Sequence, residues 1–284
     1  MPELPEVETI ARGLHATLPG RRILSVRLGK MDFIDDPAAI EREIPGTKIL
    51  AVRRCGKFLL IDLESANGDV RNFSLLVHLG MTGRLVTCEA RAPVPPHTHV
   101  FFALDDGREL RYTDVRRFGR MRIVTGGVRE NTLDALGLDP LEASEGEFVA
   151  LLKNRRARIK ALLLDQSVLR GIGNIYADES LWRARIHPKR LGANLSLKEL
   201  RRLYQAVQDV LNDAIEKRGS SIADYVDSDG NLGGFQRLHR VYQREGKKCF
   251  RCGAVIRRAI FAGRSSHFCP HCQPPPRASK RKHR

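Results

Sequence analysis

The chain opens Met1-Pro2-Glu3-Leu4-Pro5-Glu6. An initiator methionine before a small residue is normally trimmed, which would leave Pro2 as a free secondary amine. With a pKa of roughly 8, such an amine keeps a neutral, nucleophilic fraction at working pH. A secondary amine that adds to a sugar carbonyl can only become a charged iminium. That iminium acidifies the neighbouring carbon and invites β-elimination. Glu3 lies next to it as an acid. The competing reading is an ordinary terminus whose Pro and Glu residues start a helix.

A second constellation lies near the other end. Cys249-Phe250-Arg251-Cys252 and Cys269-Pro270-His271-Cys272 are two C-x2-C pairs separated by sixteen residues. Two thiolate knuckles joined by a short hairpin make the four-sulfur cage of structural zinc, with no open position for catalysis. His267 and His271 could replace a ligand, but four cysteines already complete the shell. Disulfides are the competing use of these sulfurs. A reducing compartment and the lone Cys55 and Cys88 argue against them.

These groups need elements to position them, and 284 residues suffice for two domains with a sizeable core. From about Ile23 to Val124 the chain reads as short strands, among them 48–54, 58–63, 73–79 and 98–104. Asp105-Asp106-Gly107 marks a hairpin, so this half is expected to be an antiparallel sandwich preceded by a helix over about 5–18. Past Asn131 the apolar period becomes helical. Phe148, Leu151, Leu152, Ile159, Leu162 and Leu163 recur at that spacing, and Ser196-Leu197-Lys198-Glu199 is a capping box. Gly171-Ile172-Gly173-Asn174 permits a tight turn that opens backbone amides to a phosphate at a helix start. Ser228 to Gly234 reads as a mobile loop.

Lys and Arg number 49 against 33 Asp and Glu, a net charge of +16. The tail after Pro274 carries five basic residues, so the rest of the chain keeps +11. A polyanionic partner is therefore expected, and nucleic acid before a membrane surface. No stretch reads as a membrane span or a secretory signal, which makes the cytoplasm the expected compartment.

Pro2 to Val7, Lys57, His78-Leu79-Gly80-Met81-Thr82-Gly83, Arg116-Arg117-Phe118-Gly119, Gly171 to Tyr176 and the four cysteines occur together in this order. In that order they closely resemble the bacterial formamidopyrimidine-DNA glycosylases, within the wider family that includes endonuclease VIII. The resemblance spans Pro2 to Cys272. It implies an α+β protein: an N-terminal helix with an antiparallel β-sandwich (2–130), then a helix-two-turn-helix region with a lesion-capping loop (131–240). A four-cysteine zinc finger (241–273) would follow; beyond the resemblance, the composition of the basic tail (274–284) makes it expected to be disordered. The resemblance further implies a monomer acting on damaged double-stranded DNA with one structural Zn2+. The activity expected is excision of oxidised purines, with strand cleavage by β,δ-elimination.

Residue by residue, the resemblance makes Pro2 the amine that attacks C1′, Glu3 the acid and Glu6 its supporting carboxylate. Lys57 and His78 would contact the DNA backbone near the lesion. Asn174 and Arg264 would clamp phosphates, with Lys57 and Arg264 counted in the catalytic set. Met81, Arg116 and Phe118 would fill the gap left by the extruded base, and the loop from Ser228 to Phe235 would cover that base. The chain departs from the family pattern at Val115, usually proline, and at Gln243, usually glycine.

Bland readings stand beside these. Met81 and Phe118 could be core residues, and Asn174 could simply cap its helix. The run Lys153, Arg155, Arg156, Arg158 and Lys160 could be a solvated helix face. Two other function classes compete: an endonuclease VIII-like enzyme for oxidised pyrimidines and a non-catalytic zinc-ribbon DNA-binding protein. Leu4 favours the purine branch, because the pyrimidine branch generally begins Pro-Glu-Gly. The zinc-ribbon reading leaves the N-terminal sequence unexplained.

Overall fold

A computed structural model of the chain describes residues 1–65, 73–125, 131–222, 224–261 and 263–276; of residues 131 and 132 it describes the backbone alone. The basic tail expected to be disordered lies, from 277 onward, outside the described residues. The chain forms two compact units. The first comprises Met1–Ala135 with Asp213–Gln236, and the second comprises Leu136–Asn212 with Arg237–Arg284.

In the first unit, helix α1 (Leu4–Thr17) leads into β1 (Ile23–Leu28), α2 (Pro37–Glu43), β2 (Lys48–Cys55), β3 (Phe58–Glu64) and β4 (Phe73–His78). Strands β5 (Arg84–Glu89), β6 (Thr98–Leu104), β7 (Arg108–Thr113) and β8 (Arg120–Thr125) follow, then the single turn α3 (Asn131–Asp134). The strands make two four-stranded sheets, ordered β1-β6-β7-β5 and β2-β3-β4-β8. Every pairing in them is antiparallel. The alternating strand pattern puts Leu59, Ile61 and Leu63 of β3 and Val100, Phe102 and Leu104 of β6 into one core.

Helix α1 adds Val7, Ile10 and Leu14, spaced to share one face and each at most 1% exposed. Burying each such side chain contributes about 1.5–3 kcal/mol, so this face anchors the N-terminus to the sandwich. Leu60, Leu76 and Val124 form a smaller cluster. They alternate with the main-core residues of their strands and so lie on the other face of that sheet.

The second unit holds α4 (Glu145–Lys153), α5 (Ile159–Leu164), α6 (Asn174–Arg183) and α7 (Leu197–Glu216), whose last turn from Asp213 belongs to the first unit. The capping box expected at Ser196 is formed. Ser196 Oγ accepts the Glu199 N–H at 3.2 Å, and the Glu199 carboxylate accepts the Ser196 N–H at 2.8 Å. The hairpin β9 (Arg257–Phe261) and β10 (Arg264–Phe268) completes the unit.

One expectation changes. The basic run around 155 is not one helix face, because α4 ends at Lys153 and α5 begins at Ile159. Lys160 is 1% exposed rather than solvated. Residues 213–236 group with the first unit, where the Ser220 N–H bonds Glu6 of α1 and the Ser228 carbonyl accepts the Thr87 N–H of β5.

Candidate active site and metal centre

Glu3 is the N-cap of α1, and Leu4 and Pro5 fill the first helical positions. Proline is favoured there because a helix start leaves its first N–H groups unpaired anyway. Glu6 Oε2 accepts the Glu3 N–H at 2.8 Å, and its other oxygen accepts the Ser220 N–H at 2.7 Å. Both donors are backbone groups and both carboxylates are buried, at 4% exposure for Glu3 and 1% for Glu6. Pro2 is buried beside them. The expected active-site residues Pro2, Glu3 and Glu6 therefore occupy one fixed helix start, next to a segment more than two hundred residues downstream.

The stretch expected to be a mobile loop is bonded on itself and to its neighbours. Asp227 Oδ1 accepts the N–H groups of Asp229 and Asn231 at 3.0 and 2.8 Å. The Ser228 carbonyl accepts the Thr87 N–H at 3.0 Å. Leu232, near the end of this stretch, is 69% exposed.

Lys57 sits in the two-residue turn joining β2 to β3, after Gly56 at φ 59°. His78 ends β4 opposite Phe58, whose ring centroid is 5.0 Å away. Burial, then the charges of Lys57 and Arg120, push the His78 pKa below its ordinary value. The ring is therefore neutral at pH 7. Its Nδ1 accepts the Gly80 N–H at 3.2 Å, which assigns the ring proton to Nε2 as a donor.

Met81, Arg116 and Phe118 come together on two adjoining loops. The Arg116 guanidinium lies 4.4 Å from the Phe118 ring centroid and donates to the Met81 sulfur at 3.3 Å. Met81 is 43% exposed and Phe118 52% exposed, so neither is a core residue. Two apolar side chains flanking a guanidinium on a surface form a wedge with a hydrogen-bonding fork.

In the second unit the cap of α6 is Gly173, not Asn174. Asn174 is the first helical residue. Its amide donates to Ser265 Oγ at 3.3 Å, and its Oδ1 is buried with no hydrogen-bond partner among the described residues. Arg264, beside Ser265, is exposed at the start of β10. Asn174 thus stands at a helix N-terminus, a suitable place for an anion, bonded to the residue that follows Arg264 in β10.

That arrangement rests on a buried network the sequence did not single out. Lys160 Nζ lies 2.6 Å from Asp178, and it donates to the Ser265 carbonyl at 2.7 Å and to Ser266 Oγ at 2.8 Å. Asp178 also accepts the His267 N–H at 2.8 Å. Glu179 next to it accepts the N–H groups of Arg240, Val241 and Tyr242 at 2.8–3.0 Å. The segment after α7 carries no pattern that would reveal Ser220, and Asp178 and Glu179 read as ordinary helix acids.

The ligand atoms of Cys249, Cys252, Cys269 and Cys272 all lie within 4.8 Å of one another. Two of the sulfur pairs are 3.4 and 4.0 Å apart. A tetrahedron with Zn–S bonds of about 2.3 Å has sulfurs about 3.8 Å apart, whereas a disulfide needs about 2.05 Å. The four sulfurs fit a structural zinc. Hairpin β9–β10 lies between the two knuckles, so the metal would anchor the strand that carries Arg264.

Comparison with known proteins covers nearly the whole chain. A family model for the formamidopyrimidine-DNA glycosylase N-terminal domain matches residues 1–121. A model for the H2TH domain of the same enzymes matches 136–226, and one for a zinc finger found in FPG and IleRS matches 246–275. The formamidopyrimidine-DNA glycosylase of Pelotomaculum thermopropionicum is 46% identical over 96% of this chain and 99% of its own length. That of Solibacter usitatus is 45% identical over the same shares. The crystal structure of the MutM (FPG) protein from Thermus thermophilus is similar at a TM-score of 0.83 and 43% identity, over 96% of this chain and 98% of that one. A Lactococcus lactis FPG mutant in complex with Fapy-dG containing DNA matches at 0.87 and 34%, over 96% and 100%.

Proposed function

This chain belongs to the formamidopyrimidine-DNA glycosylase family, and we propose that it excises oxidised purines through an iminium formed at Pro2. It is a base excision repair glycosylase with the AP lyase activity characteristic of that family, it binds DNA, and it holds one structural zinc. The observation that carries the Pro2 reading is the buried helix start, where Glu6 fixes Glu3 through its backbone beside Pro2.

With Met1 removed, the Pro2 nitrogen attacks C1′ while the bond from C1′ to the base breaks, and the proton that the amine gives up balances the one the base takes as it leaves. Glu3 supplies a proton to the sugar ring oxygen as the ring opens to the iminium. Loss of the C2′ proton then breaks the C3′–oxygen bond and releases the phosphate there, and loss of the C4′ proton breaks the C5′–oxygen bond and releases the second phosphate. Water releases Pro2. Lys57 and His78 in the first unit, and Asn174 and Arg264 in the second, are proposed as phosphate contacts, with the net charge of +16 supplying general attraction to DNA. Met81, Arg116 and Phe118 are proposed to fill the duplex where the base has left, offsetting part of the unstacking cost of a few kcal/mol.

No helix among the described residues is long and apolar enough to cross a membrane. We read the protein as a monomer working in the cytoplasm on damaged double-stranded DNA. Borohydride reduction on abasic DNA tests the chemistry. A stable adduct mapped by peptide analysis to Pro2 is expected, whereas an adduct on Lys57 or full activity with Met1 retained would overturn the assignment. The alternative is an endonuclease VIII-like enzyme; because a Lactococcus lactis Fpg has itself been captured with oxidised-pyrimidine DNA, binding of such a lesion alone does not separate the two branches. A preference for oxidised pyrimidines in a panel of single-lesion duplexes would favour the alternative.

A further inference from the structure

We infer that Asp114 is a positioning residue that locks Met81, Arg116 and Phe118 into one rigid wedge and thereby sets discrimination at the base opposite the lesion. The inference rests on the reading of those three side chains as the group entering the duplex. Asp114 follows β7 and is 0% exposed. Its side chain is filled from four directions. Oδ1 accepts from the Thr82 hydroxyl and from the Arg116 N–H at 3.3 Å; Oδ2 accepts from the Tyr112 hydroxyl at 3.1 Å and the Gly119 N–H at 2.9 Å. Its backbone carbonyl lies 3.1 Å from His99 Nε2. Thr82 Oγ1 in turn accepts the Arg116 N–H at 3.1 Å.

These bonds have a pattern. Thr82 follows Met81 directly, Arg116 belongs to the wedge itself, and Gly119 follows Phe118. One carboxylate therefore reaches the backbone or the neighbour of all three wedge residues. The two loops also touch backbone to backbone: Gly80 has φ +60°, and a Cβ there would lie 2.5 Å from the Phe118 carbonyl carbon and the Gly119 nitrogen. A buried carboxylate is costly unless its lone pairs are satisfied. This one is satisfied only while both loops keep their present places, so it holds the two loops in a single arrangement.

The substitution Asp114→Asn separates this role from bulk. An amide of the same shape has one acceptor oxygen, and its NH2 group must face one of the two pairs of donors. Hydroxyls can turn round to accept from it, but a backbone N–H cannot. With the NH2 group at the Oδ2 place the Gly119 N–H loses its acceptor, and at the Oδ1 place the Arg116 N–H is left with Thr82 Oγ1 alone, so either orientation loosens one side of the wedge.

The test measures single-turnover removal of 8-oxoguanine opposite cytosine and opposite adenine, together with borohydride trapping on a single-stranded abasic oligonucleotide. Trapping there involves neither an opposite base nor a gap in a stack. Asp114→Asn is expected to slow excision opposite cytosine on the order of tenfold, as loss of a hydrogen bond to a charged group allows. The cytosine-to-adenine ratio should narrow, while single-strand trapping stays within about twofold of wild type. In the double variant with Arg116→Ala, the effect of Arg116→Ala on that ratio should shrink, because both changes disable one unit. An unchanged ratio in Asp114→Asn, or trapping that falls in proportion to duplex excision, would overturn the inference. Wild-type duplex excision in both Met81→Ala and Arg116→Ala would instead defeat the wedge reading on which it rests.

Discussion

Glu6 Oε1 accepts the backbone N–H of Ser220 at 2.7 Å, while Oε2 accepts that of Glu3 at 2.8 Å. One buried carboxylate thus ties the proposed catalytic helix start to a segment 214 residues away in sequence. Gly219, at φ +76°, makes the approach feasible, since a Cβ there would lie 2.8 Å from Glu6 Oε1. Tyr225 closes the same corner. Burial first, then the Glu6 charge, pushes its phenol well above its ordinary pKa, so it stays a neutral donor.

Two variants should therefore converge. Glu6→Gln turns an NH2 group toward one of two backbone N–H groups, and Gly219→Ala crowds the carboxylate in a backbone conformation that alanine disfavours. Each should cost about 1–3 kcal/mol of stability. Each should also lower single-turnover excision more than affinity for damaged duplex. Thermal melts with paired binding and rate measurements check this, and excision at the wild-type rate in both variants would contradict it.

Zinc removal should loosen the second unit locally. Around the four cysteines the buried cluster is small, comprising Trp182, Val241, Cys249, Ile256 and Cys269. So few apolar contacts leave much of the module's folding energy to the metal. Metal analysis should give one zinc per chain. Cys252→Ser should lose it and bind DNA at least tenfold more weakly, about 1.4 kcal/mol, because the hairpin bearing Arg264 is no longer anchored. Full DNA affinity in zinc-free protein would refute this.

Acid should destabilise the protein through two buried histidines. Burial first, then the nearby charge of Lys189 for His187 and of Arg244 for His239, pushes both pKa values from 6.5 down to about 4. Between those values the unfolded chain binds protons that the native chain does not. Their contribution is whole above about pH 6.5 and is lost as pH falls toward 4, on the order of 1–3 kcal/mol for each. His187→Asn can keep the acceptor for the Lys189 N–H, bonded at 3.1 Å, but loses the ring packed 4.7 Å from Phe268. It should be less stable at pH 8 yet show a shallower loss between pH 6.5 and 4. Urea titrations across that range check the slope.

Gln243 adopts φ 55°. Most residues disfavour that left-handed region, and β-branched ones are worst there. The segment is held in place by Glu179, which bonds the N–H groups of Arg240, Val241 and Tyr242. Gln243→Gly should raise stability by about 0.5–1 kcal/mol. Gln243→Val should lower it by a similar or larger amount, and melting temperatures in the opposite order would reject the strain.

Where function rests on residue type and short spacing, the sequence was legible. Pro2, Glu3 and Glu6 at the start of α1, the capping box at Ser196 and each C-x2-C knuckle lie within a few residues, so their pattern carries their local geometry, whereas the bond between Glu6 and Ser220 left no such pattern. The alternating strands of 48–64 and 98–104 reported which faces would meet in the core. Where a group's role depends on what surrounds it in space, no local pattern could show it. Lys160 looks like any lysine of a basic run until Asp178 and Ser266 enclose it, and Met81 and Phe118 look like core until the loops turn them outward. Asp114 reads as an ordinary residue at the end of a strand. Its donors come from positions more than thirty residues apart, and burial makes them obligatory. The sequence by itself determined the chemical groups, because those are covalent; the tertiary structure alone decided which of them are desolvated and which backbone N–H groups they must satisfy.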